Sequence, residues 1–255
     1  MKLDLKAPHT VYKSADGRRL TGVTTYLGVI NKPQIVTWTG EQEREGVVNW
    51  LRDSPTKPLP TYTTKDGRVK AALFADAKRD KAADLGTVTH ARCEAWLLND
   101  ELEKAGIPAD LFEKSLIGLK RFQAWWLAEG FHCLHSERVV IYDDGKMAYG
   151  GTADIVARDP AGRIVLVDLK TSKASPYWPY PEVYGQVAAY AEGLANDPTI
   201  GLDVDRIVVA RIGKEENDVL QTARLTSAQR AAGWELFKAA YAASEAKRIL
   251  EKLHK

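Results

Sequence analysis

The stretch Gly151-Thr152-Ala153-Asp154-Ile155-Val156-Ala157, then Asp159-Pro160-Ala161-Gly162, then Ile164-Val165-Leu166-Val167-Asp168-Leu169-Lys170-Thr171 decides the fold. Two β-branched runs flank a Pro/Gly turn signal, which predicts a β-hairpin. With the four turn residues as the loop, Arg158 pairs with Arg163, and counting outward sets Asp154 opposite Val167, next to Asp168. Side chains alternate along a strand, so Asp168 and Lys170 share a face. Two carboxylates and one ammonium group are therefore expected to converge on one spot.

Hard divalent cations such as Mg²⁺ and Mn²⁺ take carboxylate oxygens and keep several waters. Such an ion activates water, orients a phosphate and neutralises charge on the attacking and leaving oxygens. Lys170 adds a fixed positive charge where it positions the water or stabilises the transition state. Phosphate ester hydrolysis needs a barrier lowering of roughly 20 kcal/mol, and metal-activated water supplies much of it. The competing reading is an ordinary hairpin with solvated charges.

Two further segments bear on that choice. Residues 82–97 are predicted to be helical, with Leu85, Val88, Trp96 and Leu97 in helical register. His90 and Glu94, four apart, share a face of that helix. Downstream, Pro181 opens a second predicted helix, on which Gln186 and Tyr190 stand at the same spacing.

Together these residues resemble the PD-(D/E)XK nuclease superfamily and, within it, the RecB-like exonucleases. That group carries Gly-x-x-x-His, Gly-x-x-Asp, Asp-x-Lys and Gln-x-x-x-Tyr in order. Gly86 to His90, Gly151 to Asp154, Asp168 to Lys170 and Gln186 to Tyr190 match all four. The resemblance covers residues 82 to 195. It implies that His90, Asp154, Asp168 and the backbone carbonyl of Leu169 bind Mg²⁺ or Mn²⁺. It also implies that Lys170 is the catalytic lysine, with Asp154 and Asp168 beside it, and that Gln186 and Tyr190 contact nucleic acid or brace the site. Ala153 stands where the superfamily has proline, and Asp168 where other branches have Glu; both variants are usual in the RecB-like branch. Val23-Thr24-Thr25-Tyr26-Leu27-Gly28-Val29 is also similar to phage-type members. Some relatives carry an iron–sulfur cluster, which takes four thiolates. This chain has two cysteines, Cys93 and Cys133, so no such cluster is expected, and their spacing fits no zinc pattern.

Glu137, on an expected strand ending at Asp143-Asp144-Gly145, is a further metal-ligand candidate, with a surface ion pair to Arg138 or Lys146 as the alternative. Thr171 and Lys173 lie at the end of the catalytic strand, where nucleic-acid contacts are expected. The loop that follows contains Tyr177, Trp178 and Tyr180 among three prolines, and its rings suit base stacking. Lys65, Arg68, Lys70, Lys78, Arg79 and Lys81 form a basic strip that leads to the His90 helix. It suits a phosphate backbone or, with Asp76, Asp80 and Asp84 interspersed, a solvated face.

The chain has 255 residues, 45% hydrophobic and 27% charged, with a net charge of +2. It reads as an ordinary globular chain, and DNA binding has to come from local patches. No apolar run approaches the roughly 20 residues of a membrane helix, and residues 1–6 form no signal-peptide core. A cytoplasmic setting, in a bacterial or phage-infected cell, is expected. The expected fold is α/β: a central mixed sheet flanked by helices, restriction-endonuclease-like, with an N-terminal helical lobe. The predicted division is 1–80 for the hairpin and helical lobe and 81–255 for the nuclease core. Leu111–Leu127 is read as a core helix, Asp205–Arg211 as a buried strand, Val219–Leu225 as an edge strand, and Ser227 as the cap of a last helix with apolar Trp234, Phe237, Tyr241, Ile249 and Leu250 along it. The function so read is a metal-dependent DNA exonuclease in recombination, repair or replication. Its substrate is DNA with a free end, single-stranded or resected duplex, and a recombination or replication protein is its partner. The alternatives are a nucleic-acid-binding subunit with little or no catalysis, and a structure-specific endonuclease on the same core.

Overall fold

The computed structural model describes residues 1–3, 5, 10–30, 33–54, 56–63, 69–71, 74–172, 179–214 and 217–254. The chain divides into two compact units, Met1–Ile30 with Gly86–Lys255, and Asn31–Leu85.

In chain order the first unit holds the short strands β1 (Tyr12–Lys13) and β2 (Arg19–Leu20) and helix α1 (Val23–Leu27). The second holds helix α2 (Pro33–Asp53), strands β3 (Thr61–Thr63) and β4 (Val69–Ala71), and the opening turns of helix α3 (Phe74–Leu97). Within it, β3 and β4 pair antiparallel, and the Ala75 amide donates to the Glu43 carboxylate at 3.1 Å. Back in the first unit follow the rest of α3, helix α4 (Ala109–Glu129) and strands β5 (His132–Asp143), β6 (Ala148–Arg158) and β7 (Ile164–Ser172). Helix α5 (Pro181–Asn196), strands β8 (Arg206–Gly213) and β9 (Gln221–Arg224), and helix α6 (Ser227–Leu253) complete it.

The five long-range strands form one sheet in the order β5-β6-β7-β8-β9. Only β7 and β8 run parallel, joined through α5, so the sheet is mixed. Helices cover both faces, as expected from the sequence. On β7, Ile164 and Leu166 join a core with Val187 and Leu194 of α5 and Phe237 of α6. The alternate residues Val165, Val167 and Leu169 join a second core with Cys93 of α3 and Phe122 and Trp126 of α4. A strand buried on both sides has to be apolar at every position. Asp168 is the one charged residue within the buried run of β7.

Four details depart from the sequence reading. The hairpin register is one step off: Arg158 pairs with Ile164, and Ile155 with Val167. Arg163 belongs to the turn, because the Asp159 carboxylate accepts the amides of both Ala161 and Arg163 and Gly162 takes the left-handed conformation at φ +84°. The boundary expected near residue 80 is replaced by an insertion-like division. Residues 1–30 belong with the sheet, where the Tyr12 hydroxyl meets Thr152 Oγ1 at 3.0 Å and Val23, Tyr26 and Leu27 are buried in the α5–α6 core. The last helix is capped by Thr226 in a reciprocal box with Gln229, not by Ser227. Ile249 and Leu250, expected along its apolar side, are exposed, whereas Phe237 is buried.

Candidate active site

The corrected register brings the acids together. The backbone ladder between β6 and β7 ends at Ile155 and Val167. One step further, Asp154 stands level with Asp168, and its Oδ2 accepts the Leu169 amide at 2.7 Å. On the other side, Ser136 pairs with Ile155 and Arg138 with Ala153, which sets Glu137 opposite Asp154. Three carboxylates therefore run in a row across β5, β6 and β7. Glu137 has φ +49°, a left-handed conformation uncommon for a residue other than glycine and typical of functional sites.

Asp168 is the most enclosed of the three. Its side chain is 1% exposed and its Oδ2 lies 2.6 Å from Lys170 Nζ. Lys170 is its charge partner, and among the described residues neither Asp168 oxygen receives a further hydrogen bond. Burial raises its carboxyl to about 6, with Asp154 adding to the rise and Lys170 opposing it. Asp154 is also raised by burial, against the pull of Lys170 and the Leu169 amide. Lys170 remains firmly protonated: burial works to lower its affinity for the proton, but Asp168 and Asp154 outweigh it.

Helix α3 lays His90 over this group. His90 Nδ1 is 4.0 Å from Asp154 Oδ2. Burial and the charge of Lys170 lower the imidazole to about 4, so near neutral pH the contact is not an ion pair and the ring is a neutral donor. The helix can sit there because Gly86 has no side chain: a Cβ would lie 2.6 Å from Thr171 Oγ1 on β7. Gly151 serves the other side in the same way. A Cβ there would lie 2.4 Å from the Tyr190 ring, which is buried and whose hydroxyl accepts from Gln186 Nε2 at 3.1 Å. In this structure Gln186 and Tyr190 brace β6.

Glu94 enlarges the acidic group. It shares a helix face with His90, and its charge, with those of Asp154 and Asp168, adds to the effect of the protein packed around Glu137 in raising that carboxyl to about 8. Solvent still reaches Glu137. The i, i+4 spacing to His90 was the only sequence signal for Glu94, and nothing local showed which acid it would face.

The remaining predicted residues fall apart in a different way. Lys173, Tyr177 and Trp178 lie outside the described residues, as do Lys65 and Arg68. Lys70 lies on β4 and Lys78, Arg79 and Lys81 on α3, with side chains outside the description. Tyr180 is exposed at the start of α5. Cys93 and Cys133 are both free thiols, and burial pushes the Cys93 thiol far above its ordinary range.

The donor set, carboxylate oxygens with one imidazole nitrogen, suits a hard divalent cation, and the oxygens of buried Asp168, which have Lys170 beside them and no further hydrogen bond among the described residues, are what such an ion would satisfy. Among the described residues, no three His, Cys, Asp or Glu side chains form a ready-made cage. A bound ion would draw its other ligands from backbone and water, as Mg²⁺ habitually does.

No family model matches the chain, and no curated protein matches it. Among solved structures, that of SSO0001 is 15% identical with a TM-score of 0.33, over 62% of this chain and 73% of its own. A protein from Eubacterium rectale, provisionally named an exonuclease, is 10% identical with a TM-score of 0.44, over 61% of this chain and 64% of its own. The chain thus spans just under two thirds of that second protein. The resemblance is one of backbone arrangement, and the functional reading rests on the site. No helix among the described residues is long and apolar enough to cross a membrane.

Proposed function

We propose that the chain is a divalent-metal-dependent deoxyribonuclease of the RecB-like, PD-(D/E)XK type, an exonuclease that hydrolyses phosphodiesters directly with water. The observation that carries this reading is Asp168: buried, ion-paired to Lys170 Nζ at 2.6 Å, without a further hydrogen bond among the described residues, and level with Asp154. One lysine cannot neutralise both Asp168 and Asp154 in a buried site, and such under-compensated groups persist where a cation or substrate completes them.

His90, Asp154, Asp168 and the Leu169 carbonyl are the residues that would hold Mg²⁺ or Mn²⁺, with Glu137 at the margin. The chemistry such an ion supplies is water activation and neutralisation of phosphate charge. The Leu169 amide fixes the Asp154 carboxylate, so that group enters the reaction already oriented. Lys170, kept protonated by its two carboxylate neighbours, presents a fixed positive charge to the attacked phosphate, where charge develops in the transition state. Gln186 and Tyr190 hold the strand that carries Asp154. The substrate in this reading is DNA with a free end, in recombination, repair or replication in the cytoplasm, alongside a partner protein of that pathway.

The test is incubation with end-labelled linear and with circular DNA, single- and double-stranded, in Mg²⁺, Mn²⁺ or EDTA. Linear DNA should be degraded in either metal, circles should survive, and EDTA should abolish the reaction. Equal cleavage of circles would make the protein an endonuclease, and intact DNA in every lane would sink the reading.

A further inference from the structure

We propose that a cavity between the β1–β2 hairpin and helix α1 seats an internal phosphate of the nucleic-acid strand, to one side of the phosphate attacked at Asp168 and Lys170, with Arg19 as its cation. This inference rests on the nuclease reading and adds a substrate contact to it.

The cavity measures about 620 Å³, and its walls include Tyr12, Arg19, Thr21, Thr24, Thr25 and Arg248. No Asp or Glu is among the described residues that line it. Arg248 is already committed, paired with Glu245 and donating to Thr21 Oγ1 at 2.8 Å. Arg19 is not. Its side chain is exposed and makes no ion pair or hydrogen bond among the described residues, and the same holds for the exposed hydroxyls of Thr24 and Thr25. A guanidinium with unused donors and hydroxyls beside it matches a phosphate oxyanion.

The position fits as well as the chemistry. The Tyr12 and Thr152 hydroxyls are hydrogen-bonded at 3.0 Å, the Tyr12 ring packs against Gly150 where a Cβ would collide, and the Gly150 amide donates to the Thr21 carbonyl at 3.1 Å. The walls are thus fastened to β6. Its register with β5 runs without a break from Ala148 to Ala153, so Gly150, Thr152 and Asp154 alternate onto one face. Asp154 lies two residues past Thr152, about 7 Å along the strand. The cavity therefore sits beside the acidic centre, on the face of β6 that carries Asp154.

The charge layout gives it a purpose. The centre sets Glu94, Glu137, Asp154 and Asp168 against a single buried lysine, which alone would repel a polyanion. An acid-free pocket with an uncompensated arginine holds the strand close by. A phosphate contact reads no base identity, as an enzyme that accepts every sequence requires.

The experiment measures binding of a fluorescein-labelled single-stranded oligonucleotide with a 5′-hydroxyl, so that every phosphate is internal. Anisotropy is followed with the full chain in Ca²⁺ as salt is raised from about 50 to about 200 mM. Arg19→Ala should bind several-fold more weakly at low salt and flatten the plot of log affinity against log salt by about 0.7, the loss of one phosphate contact. Arg19→Lys should keep the wild-type slope. So should Arg18→Ala, which removes the neighbouring cation that pairs with Asp143 and is not on the cavity wall. Replacing Thr24 and Thr25 together by Val should weaken binding at every salt concentration and leave the slope unchanged, because no charge is lost. An unchanged slope in Arg19→Ala, an equal flattening in Arg18→Ala, or wild-type affinity in the valine variant overturns the assignment and leaves the nuclease reading standing. Failure of the wild-type chain to bind the oligonucleotide overturns both.

Discussion

Gly86 is the position where a single methyl group tests how the site is assembled. A Cβ there would lie 2.6 Å from Thr171 Oγ1, while the next atom, Thr171 Cβ, is an ordinary 3.8 Å away. In a helix interior, alanine is favoured over glycine by about 1 kcal/mol. Overpacking against the β-branched, rotamerically stiff threonine costs roughly 1–3 kcal/mol. Gly86→Ala should therefore be neutral to about 2 kcal/mol destabilising, lowering Tm by up to roughly 8 °C for a chain of this size. In a Thr171→Ala background the obstructing oxygen is gone, and the same substitution should stabilise by up to about 1 kcal/mol. Melting or urea curves of the four proteins give the coupling energy, expected at roughly 1–3 kcal/mol. If Gly86→Ala has the same effect in both backgrounds, to within about 0.5 kcal/mol, α3 does not rest on β7 as described.

Three further outcomes follow from the site. His90, neutral near pH 7 with its imidazole lowered to about 4, is a nitrogen donor and favours Mn²⁺ over Mg²⁺; cleavage should be faster in Mn²⁺, and His90→Ala should narrow that gap. Equal rates in both metals, unchanged by the substitution, would exclude ligation by His90. In metal-free protein, Asp168 raised to about 6 and Glu137 raised to about 8 stabilise the fold fully at low pH, and that contribution is lost as pH rises through those values. His90 has the opposite sign, but its contribution is complete above its ordinary value of 6.5. Between that pH and 8 the Tm in EDTA should therefore fall, and Glu137→Gln should flatten the fall; an identical slope in the variant would refute the acidic row. Gly151→Ala should displace the Tyr190 ring and cost roughly 1–3 kcal/mol, and a Tm at or above that of the wild type would contradict the brace.

The sequence made the order of the elements legible because each carries its own local signal. The turn at Asp159-Pro160-Ala161-Gly162, the proline opening α5 and the apolar run of β8 all fall where expected. The register was not legible, because it depends on a side chain. The Asp159 carboxylate caps two amides and draws Arg163 into the turn, which shifts the pairing by one and moves residues between faces. That shift is what sets Asp154 level with Asp168. The motif glycines were visible, but the atoms they make room for, Thr171 and Tyr190, lie far off in sequence. Glu94 and the left-handed Glu137 meet only in the folded chain. The place of residues 1–30 was hidden for the same reason, since a two-residue strand pair does not say which sheet it will pack against.

The most direct test of the central claim is the single-turnover cleavage rate of linear DNA in Mn²⁺ for the wild type, Asp168→Ala and Lys170→Ala, with melting curves alongside. Losing the charge that Lys170 presents to the phosphate should slow cleavage by about 10²–10³-fold. Removing Asp168 should slow it by several orders of magnitude, with both variants still melting cooperatively. A folded variant of either kind that cleaves at close to the wild-type rate would show that the chemistry lies elsewhere.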